Sequence, residues 1–188
     1  VDGCYPTGGG IGRVITGEAY VEEYLEFLSE VPKNNLSGLR VVLDTANGST
    51  SSIAPRVWAG LGAEVQAIND KPDGLNINQA CGSTHPHTLA AEVVASGAHA
   101  GFAYDGDGDR CIMVDETGTV RDGDHIMAIL GLDMARRGRL SGGTVVGTVM
   151  SNYGLEVCLS NSDLRLERTP VGDRYVLEKM EDQGFALG

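Results

Sequence analysis

The chain alternates short apolar runs with polar breaks, and the spacing inside each run predicts its element. From Glu18 to Glu30, "EAYVEEYLEFLSE" repeats apolar residues at helical spacing and leaves an acidic face. Pro32 and the Asn34-Asn35 pair close that helix. The glycine-rich lead-in from Val1 to Gly12 predicts no regular element. "GLRVVLDTANG" then reads as a buried strand, Arg40 to Asp44, running into a glycine turn. Ser51 and Ser52 are candidate N-caps for a helix through Trp58 to Leu61, which Gly62 stops. "AEVQAIN" is the next strand. "DKPDGLNIN" is a loop with turn chemistry at Pro72-Asp73-Gly74. A helix runs from about His87 to Ala95 and ends at Gly97. "AGFAY" and "CIMVD" are strands on either side of an aspartate–glycine run, and "ETGT" makes a hairpin-like turn.

The pattern then restarts. Asp124 to Arg137 is helical, with basic residues near its C-terminus where the helix dipole favours them. "GTVVGTVMS" is a strand, "NYGLEVCLS" a helix, "LRLERTPV" a strand and Asp173 to Glu181 a helix. Strands alternating with helices predict an α/β fold with largely parallel or mixed sheet. The break near Thr119 to Gly123 divides two consecutive α/β domains: residues 1–17 lead in, 18–119 form the first and 120–188 the second.

Composition narrows the classes. The 188 residues, 41% hydrophobic, suffice for one or two cores. No apolar run approaches the roughly 18 residues that span a bilayer, which argues against a membrane segment. No signal segment is visible. The chain starts at Val1 without methionine and stops at Gly188 in mid-pattern, so it reads as a piece of a longer protein. A formal net charge of −12 repels nucleic acid. It also repels phosphorylated small molecules at long range, so a phosphate site needs a metal, an arginine or backbone N–H groups. The cysteines Cys4, Cys81, Cys111 and Cys158 are scattered. They read as buried free thiols, Cys111 in an apolar run and Cys158 in a helix, which fits a reducing cytoplasm.

The run "FAYDGDGDRCIMVD" carries the chemistry. Asp105, Asp107 and Asp109 alternate with glycines at a strand end. Three carboxylates so close repel one another in a partly dry site. A hard divalent cation with oxygen ligands relieves this, and Mg²⁺ is the default. Gly106 and Gly108 let the backbone wrap the carboxylates around one point. Three other readings stay open. One is a solvated acidic turn. One is a calcium-binding module of EF-hand type, with Asp105, Asp107, Asp109 and Glu116 at the right offsets but Arg110 where glycine belongs. The last is a resemblance to the haloacid-dehalogenase signature, with Asp109 in its Thr/Ser position.

"DGDGDR", Asp105 to Arg110, resembles the metal-binding loop of the α-D-phosphohexomutase superfamily. "VVLDTANGSTSSIAP", "GAEVQAINDKPDGLNIN", "CGSTH", "GTVMSNYGLE" and "VGDRYVLEKM" follow in that family's order and cover nearly all of the chain after about Arg13. "GDRYV" together with "GLNIN" resembles the bacterial phosphoglucosamine mutase branch rather than the phosphomannomutases or phosphoglucomutases. The resemblance implies a four-domain enzyme of which this chain holds the second domain and a truncated third. It implies an isomerase that interconverts glucosamine 6-phosphate and glucosamine 1-phosphate through a phosphoserine and a bisphosphate intermediate, feeding UDP-N-acetylglucosamine and cell-wall synthesis. The phosphoserine and the sugar- and phosphate-binding loops would lie outside this chain, which would be inactive alone. Asp105, Asp107 and Asp109 would hold Mg²⁺, and Arg110 would donate to the transferred phosphoryl group or pair with the acidic loop. Asp173 and Arg174 would recognise the sugar phosphate or serve as a cap and a surface charge. The implied partners are a phosphorylated amino sugar, the missing domains of the same polypeptide and, as an open alternative, a second copy in a homodimer.

Other polar residues read as structural. Asp44, Asn47 and Gly48 form a strand-end turn, with a phosphate role as the alternative. Ser151 and Asn152 end a strand and are candidates for lining a sugar-phosphate cleft with Asp173 and Arg174. His85 and His87 read as helix entry, since no third ligand is near in sequence. His99 and His125 read as structural, and Trp58 and the tyrosines as core.

Overall fold

The computed structural model describes residues 10–13, 15, 17–30 and 35–188. The expectations for most of the lead-in, for Cys4 and for Pro32 and Asn34 lie outside them. The elements are α1 (Glu18–Glu30), β1 (Arg40–Asp44), α2 (Ala54–Gly60), β2 (Glu64–Ile68), α3 (His87–Ser96), β3 (Ala100–Tyr104), β4 (Cys111–Asp115), β5 (Val120–Arg121), α4 (Gly123–Arg136), β6 (Thr144–Thr148), α5 (Tyr153–Ser160), β7 (Arg165–Thr169) and α6 (Asp173–Gln183).

Five strands form one sheet in the order β2-β1-β3-β4-β5. β1 pairs in parallel with β2 and β3, while β3–β4 and β4–β5 are antiparallel. The alternating side chains of β1 explain its continuous apolar run. Val42 points into a core with Leu89, Val93, Ala103 and Val114, covered by α3. Val41 and Leu43 point the other way, into a core with Ala54 and Ala63 under α2. Trp58 closes that second core, its ring 4.6 Å from Phe102 and its indole N–H donating to Tyr104 Oη at 3.1 Å.

β6 and β7 form a second, parallel pair. Val145, Leu155, Leu159 and Leu164 make its core, with Leu132 of α4 packed against it. Both helices over that core start on side-chain caps. Asp122 accepts from the His125 N–H at 3.1 Å for α4, and Asn152 accepts from the Leu155 N–H at 2.8 Å for α5. The backbone N–H of Val146 donates to the Leu187 carbonyl at 2.9 Å, so the last residues run beside β6.

Three expectations change. Ser51 and Ser52 are not caps: they lie in a 3₁₀ turn, Ser49–Ser52, and Ser51 Oγ donates back to the Gly48 carbonyl at 2.8 Å. Ile53 precedes α2, whose start is set instead by Pro55 in its first turn. Among the tyrosines, Tyr20, Tyr24, Tyr153 and Tyr175 are exposed; in α1 Leu25, and not the aromatic stripe, faces inward. Cys81 is buried as expected, but Cys111 is exposed at the head of β4 and Cys158 half-buried. No described helix is long and apolar enough to cross a membrane.

Candidate metal centre

β3 and β4 are the two arms of a hairpin closed by residues 105–110, with Tyr104 opposite Cys111 as the last pair. The turn of this hairpin is the aspartate loop. Gly108, at φ +80°, lets the chain reverse there. Asp105, only 2% exposed, is fixed by Arg110: its Oδ1 accepts from the Arg110 backbone N–H at 3.1 Å and its Oδ2 from Arg110 Nε at 2.6 Å. Asp107 and Asp109 are exposed. One oxygen from each of the three carboxylates lies within 4.8 Å of the others, and among the described residues no other group of three or more metal-ligating side chains converges.

The electrostatics follow from this crowding. Burial disfavours the charge on Asp105, yet the backbone N–H and guanidinium of Arg110 outweigh it and hold its carboxyl below the usual range. Asp109 is pushed the other way, up, by the charge of Asp107 and then of Asp105. The Arg110 guanidinium is stabilised by its bond to Asp105 and also lies 3.6 Å from Asp109. Three convergent oxygens, one anchored and two facing solvent, fit a hard divalent cation such as Mg²⁺. The flanking strands do not fit an EF-hand, which needs helices there, and Glu116 sits in the turn after β4 instead of joining the cluster.

Buried Asp44 braces the wall behind the loop. Its Oδ1 accepts from Ala46 N–H at 3.0 Å and its Oδ2 from Gly82 N–H at 2.9 Å. Gly82 leads into Ser83, whose N–H donates to the Tyr104 carbonyl at 2.8 Å, one residue before Asp105. Asn47 holds the 70–78 loop, accepting from Lys71 N–H at 3.1 Å. A second acid the sequence reading passed over is Asp115, which takes the Thr117 hydroxyl, the N–H groups of Thr117 and Thr119, and Arg121. Its D-x-T-x-T-x-R spacing was the available signal. These bonds, the Thr117 hydroxyl foremost, hold its carboxyl well below the usual range.

The other predicted site residues lie elsewhere. Asp173 opens α6 and accepts from the Arg174 N–H at 2.8 Å, while Arg174 pairs with Glu178 at 3.2 Å and lies over the Tyr175 ring. Neither shares a hydrogen bond or ion pair with the aspartate loop among the described residues. Ser151 Oγ accepts from Thr148 N–H, and Asn152 caps α5. His85 bonds Thr84, His99 accepts from Arg40 N–H at 3.0 Å, and His125 pairs with Asp122.

Residues 18–118 match the family description "Phosphoglucomutase/phosphomannomutase, alpha/beta/alpha domain II" and residues 122–188 match "alpha/beta/alpha domain III" of the same family. The chain belongs to the phosphoglucomutase/phosphomannomutase family. Among its relatives, the phosphoglucosamine mutase of Symbiobacterium thermophilum is 53% identical over 97% of this chain, and that of Streptomyces griseus 51% identical over 97%. The chain spans about two fifths of their length: 41% and 40%. A solved phosphoglucomutase/phosphomannomutase family protein of Burkholderia thailandensis superposes with a TM-score of 0.75 at 25% identity, covering 88% of this chain and 36% of that one. The Aspergillus fumigatus N-acetylphosphoglucosamine mutase, solved with GlcNAc-6P and magnesium, shares the fold at a TM-score of 0.60 and 20% identity, covering 87% of this chain and 36% of its own.

Proposed function

We propose that this chain is the metal-holding part of a phosphoglucosamine mutase. It would supply domain II (residues 18–119) and the first part of domain III (120–188) to an enzyme interconverting glucosamine 6-phosphate and glucosamine 1-phosphate in a bacterial cytoplasm. The observation that carries the reading is the identity of about half, over nearly the whole chain, to several phosphoglucosamine mutases. The aspartate loop gives that reading its chemistry. Asp105, Asp107 and Asp109 would hold Mg²⁺, which when bound draws charge from a facing phosphoryl oxygen. Arg110 locks Asp105 with its Nε and backbone N–H, and its two terminal nitrogens have no protein partner among the described residues. They are the donors that would grip the transferred phosphoryl group. Asp173 and Arg174 would meet the sugar phosphate from the start of α6. The phosphoserine comes from the rest of the polypeptide.

The test is a turnover assay on the full-length protein with glucosamine, glucose and mannose phosphates. Glucosamine 6-phosphate should give the highest kcat/KM, and a higher value for another sugar would move the protein to a different branch of the family. Asp107→Asn should weaken Mg²⁺ binding and cut turnover by about 10²-fold or more. Unchanged magnesium dependence would refute the metal role.

A further inference from the structure

We infer that Gly48 is a positioning residue for the aspartate loop, and that its contact with Gly106 sets the site's preference for a small octahedral cation over a larger one. The inference rests on the metal reading above. Gly48 has φ −109° and ψ −161°, an extended conformation open to any residue. Glycine is required there by what faces it. A Cβ on Gly48 would lie 2.7 Å from Gly106 Cα, 2.8 Å from its carbonyl carbon and closer still to its oxygen. Those are backbone atoms, so no rotamer change relieves the overlap. Next to this contact, the Ser49 N–H donates to the Gly106 carbonyl at 2.8 Å.

Gly106 is walled on the other side as well. A Cβ there would lie 2.7 Å from Asn78 Nδ2 and 2.7 Å from Ile77 Cδ1. The two walls are tied together, since the Asn78 N–H donates to the Ala46 carbonyl at 2.9 Å. Gly106 therefore sits in a slot with little play, and its chain neighbours are Asp105 and Asp107, two of the three proposed ligands. A shift of a few tenths of an ångström at Gly106 moves both carboxylates relative to Asp109. Mg²⁺ demands near-ideal octahedral geometry at roughly 2.0–2.1 Å, whereas Ca²⁺ accepts oxygens at about 2.3–2.6 Å in flexible arrangements. Displacing the loop thus penalises Mg²⁺ more than Ca²⁺. A general loss of folding would weaken both alike, so the ratio of the two affinities separates positioning from mere structure.

The experiment is calorimetric titration of the chain with MgCl₂ and, separately, CaCl₂, for wild type, Asp107→Asn, Gly48→Ala and Ile77→Ala. Wild type should bind Mg²⁺, and Asp107→Asn should lose most of that binding. If wild type binds no Mg²⁺, or Asp107→Asn binds as well as wild type, the metal reading falls and this inference falls with it. Gly48→Ala should lose about tenfold or more in Mg²⁺ affinity, and at most about threefold in Ca²⁺ affinity. With the first two chains behaving as stated, an unchanged Mg²⁺-to-Ca²⁺ ratio in folded Gly48→Ala overturns the inference alone. Should circular dichroism show Gly48→Ala unfolded, Ile77→Ala decides. Ile77 is 53% exposed, so its truncation opens the opposite wall and leaves the fold intact. It should lower the ratio by about threefold, and no change overturns the inference.

Discussion

Asp105 and Asp109 lie four residues apart and titrate in opposite directions. Asp105, held down by Arg110, stabilises the fold above its unfolded pKa, and that contribution is lost as pH falls through the lowered folded value. Asp109, held up by Asp107 and Asp105, does the reverse: its contribution is present below its unfolded pKa and is lost as pH rises through the raised folded value. At neutral pH without a cation its charge opposes folding. Asp109→Asn should therefore raise the melting temperature of the chain in EDTA at pH 7, and Asp105→Asn should lower it. Both should lose Mg²⁺ binding. Melting curves with and without Mg²⁺ check this, and a fall in both metal-free values would contradict the charge repulsion assigned to Asp109. The three acids were legible because nothing but glycine separates them. Asp44 was legible as a strand-end turn, and its Oδ1 takes the nearby Ala46 N–H, but its second partner, Gly82, lies 38 residues away and no local pattern announces it. Gly48 was visible as a turn residue, but the reason for it is a contact across 58 positions of chain, from 48 to 106.

At the scale of elements, legibility tracked how local the cause was. α1 and β1 fall at the residues their spacing implies, because a helical face and a two-sided apolar run are properties of the segment itself. The start of α2 was misplaced because Ser51 turns its hydroxyl back onto the Gly48 carbonyl in the 3₁₀ turn Ser49–Ser52, where Thr45 Oγ1 also reaches it at 3.1 Å. The antiparallel return of β4 could be read only from the shortness of the loop before it. The three cores share no residue, and this gives a test. Leu159, fully buried in the core of the β6–β7 pair, leaves a cavity when shortened. Leu159→Ala should cost about 2–5 kcal/mol of the stability of the β6–β7 unit, while Mg²⁺ affinity stays within about twofold of wild type. Denaturant unfolding and a metal titration check the pair. A parallel loss of Mg²⁺ affinity would mean that the two sheets are energetically coupled.

For the molecule as a whole, the sequence carried the α/β class, two consecutive sheets and the family, while the order and direction of strands within each sheet came from register and topology. The chain spans about two fifths of the relatives it matches, and the proposal places the phosphoserine of the reaction in the rest of the polypeptide. On its own it should bind Mg²⁺ yet show no conversion of glucosamine 6-phosphate. Turnover by the purified chain, measured beside the full-length protein, would sink that assignment. One further consequence follows from the place of the aspartate loop at the tip of the β3–β4 hairpin. In a hairpin, a slip of one residue turns every side chain to the opposite face. The same slip would draw the three carboxylates apart, because they sit in the turn that the pairing closes. The proposed cation, binding only when they converge, would thus proofread the alignment of the two strands, favouring the pairing of Tyr104 with Cys111 over every misaligned version.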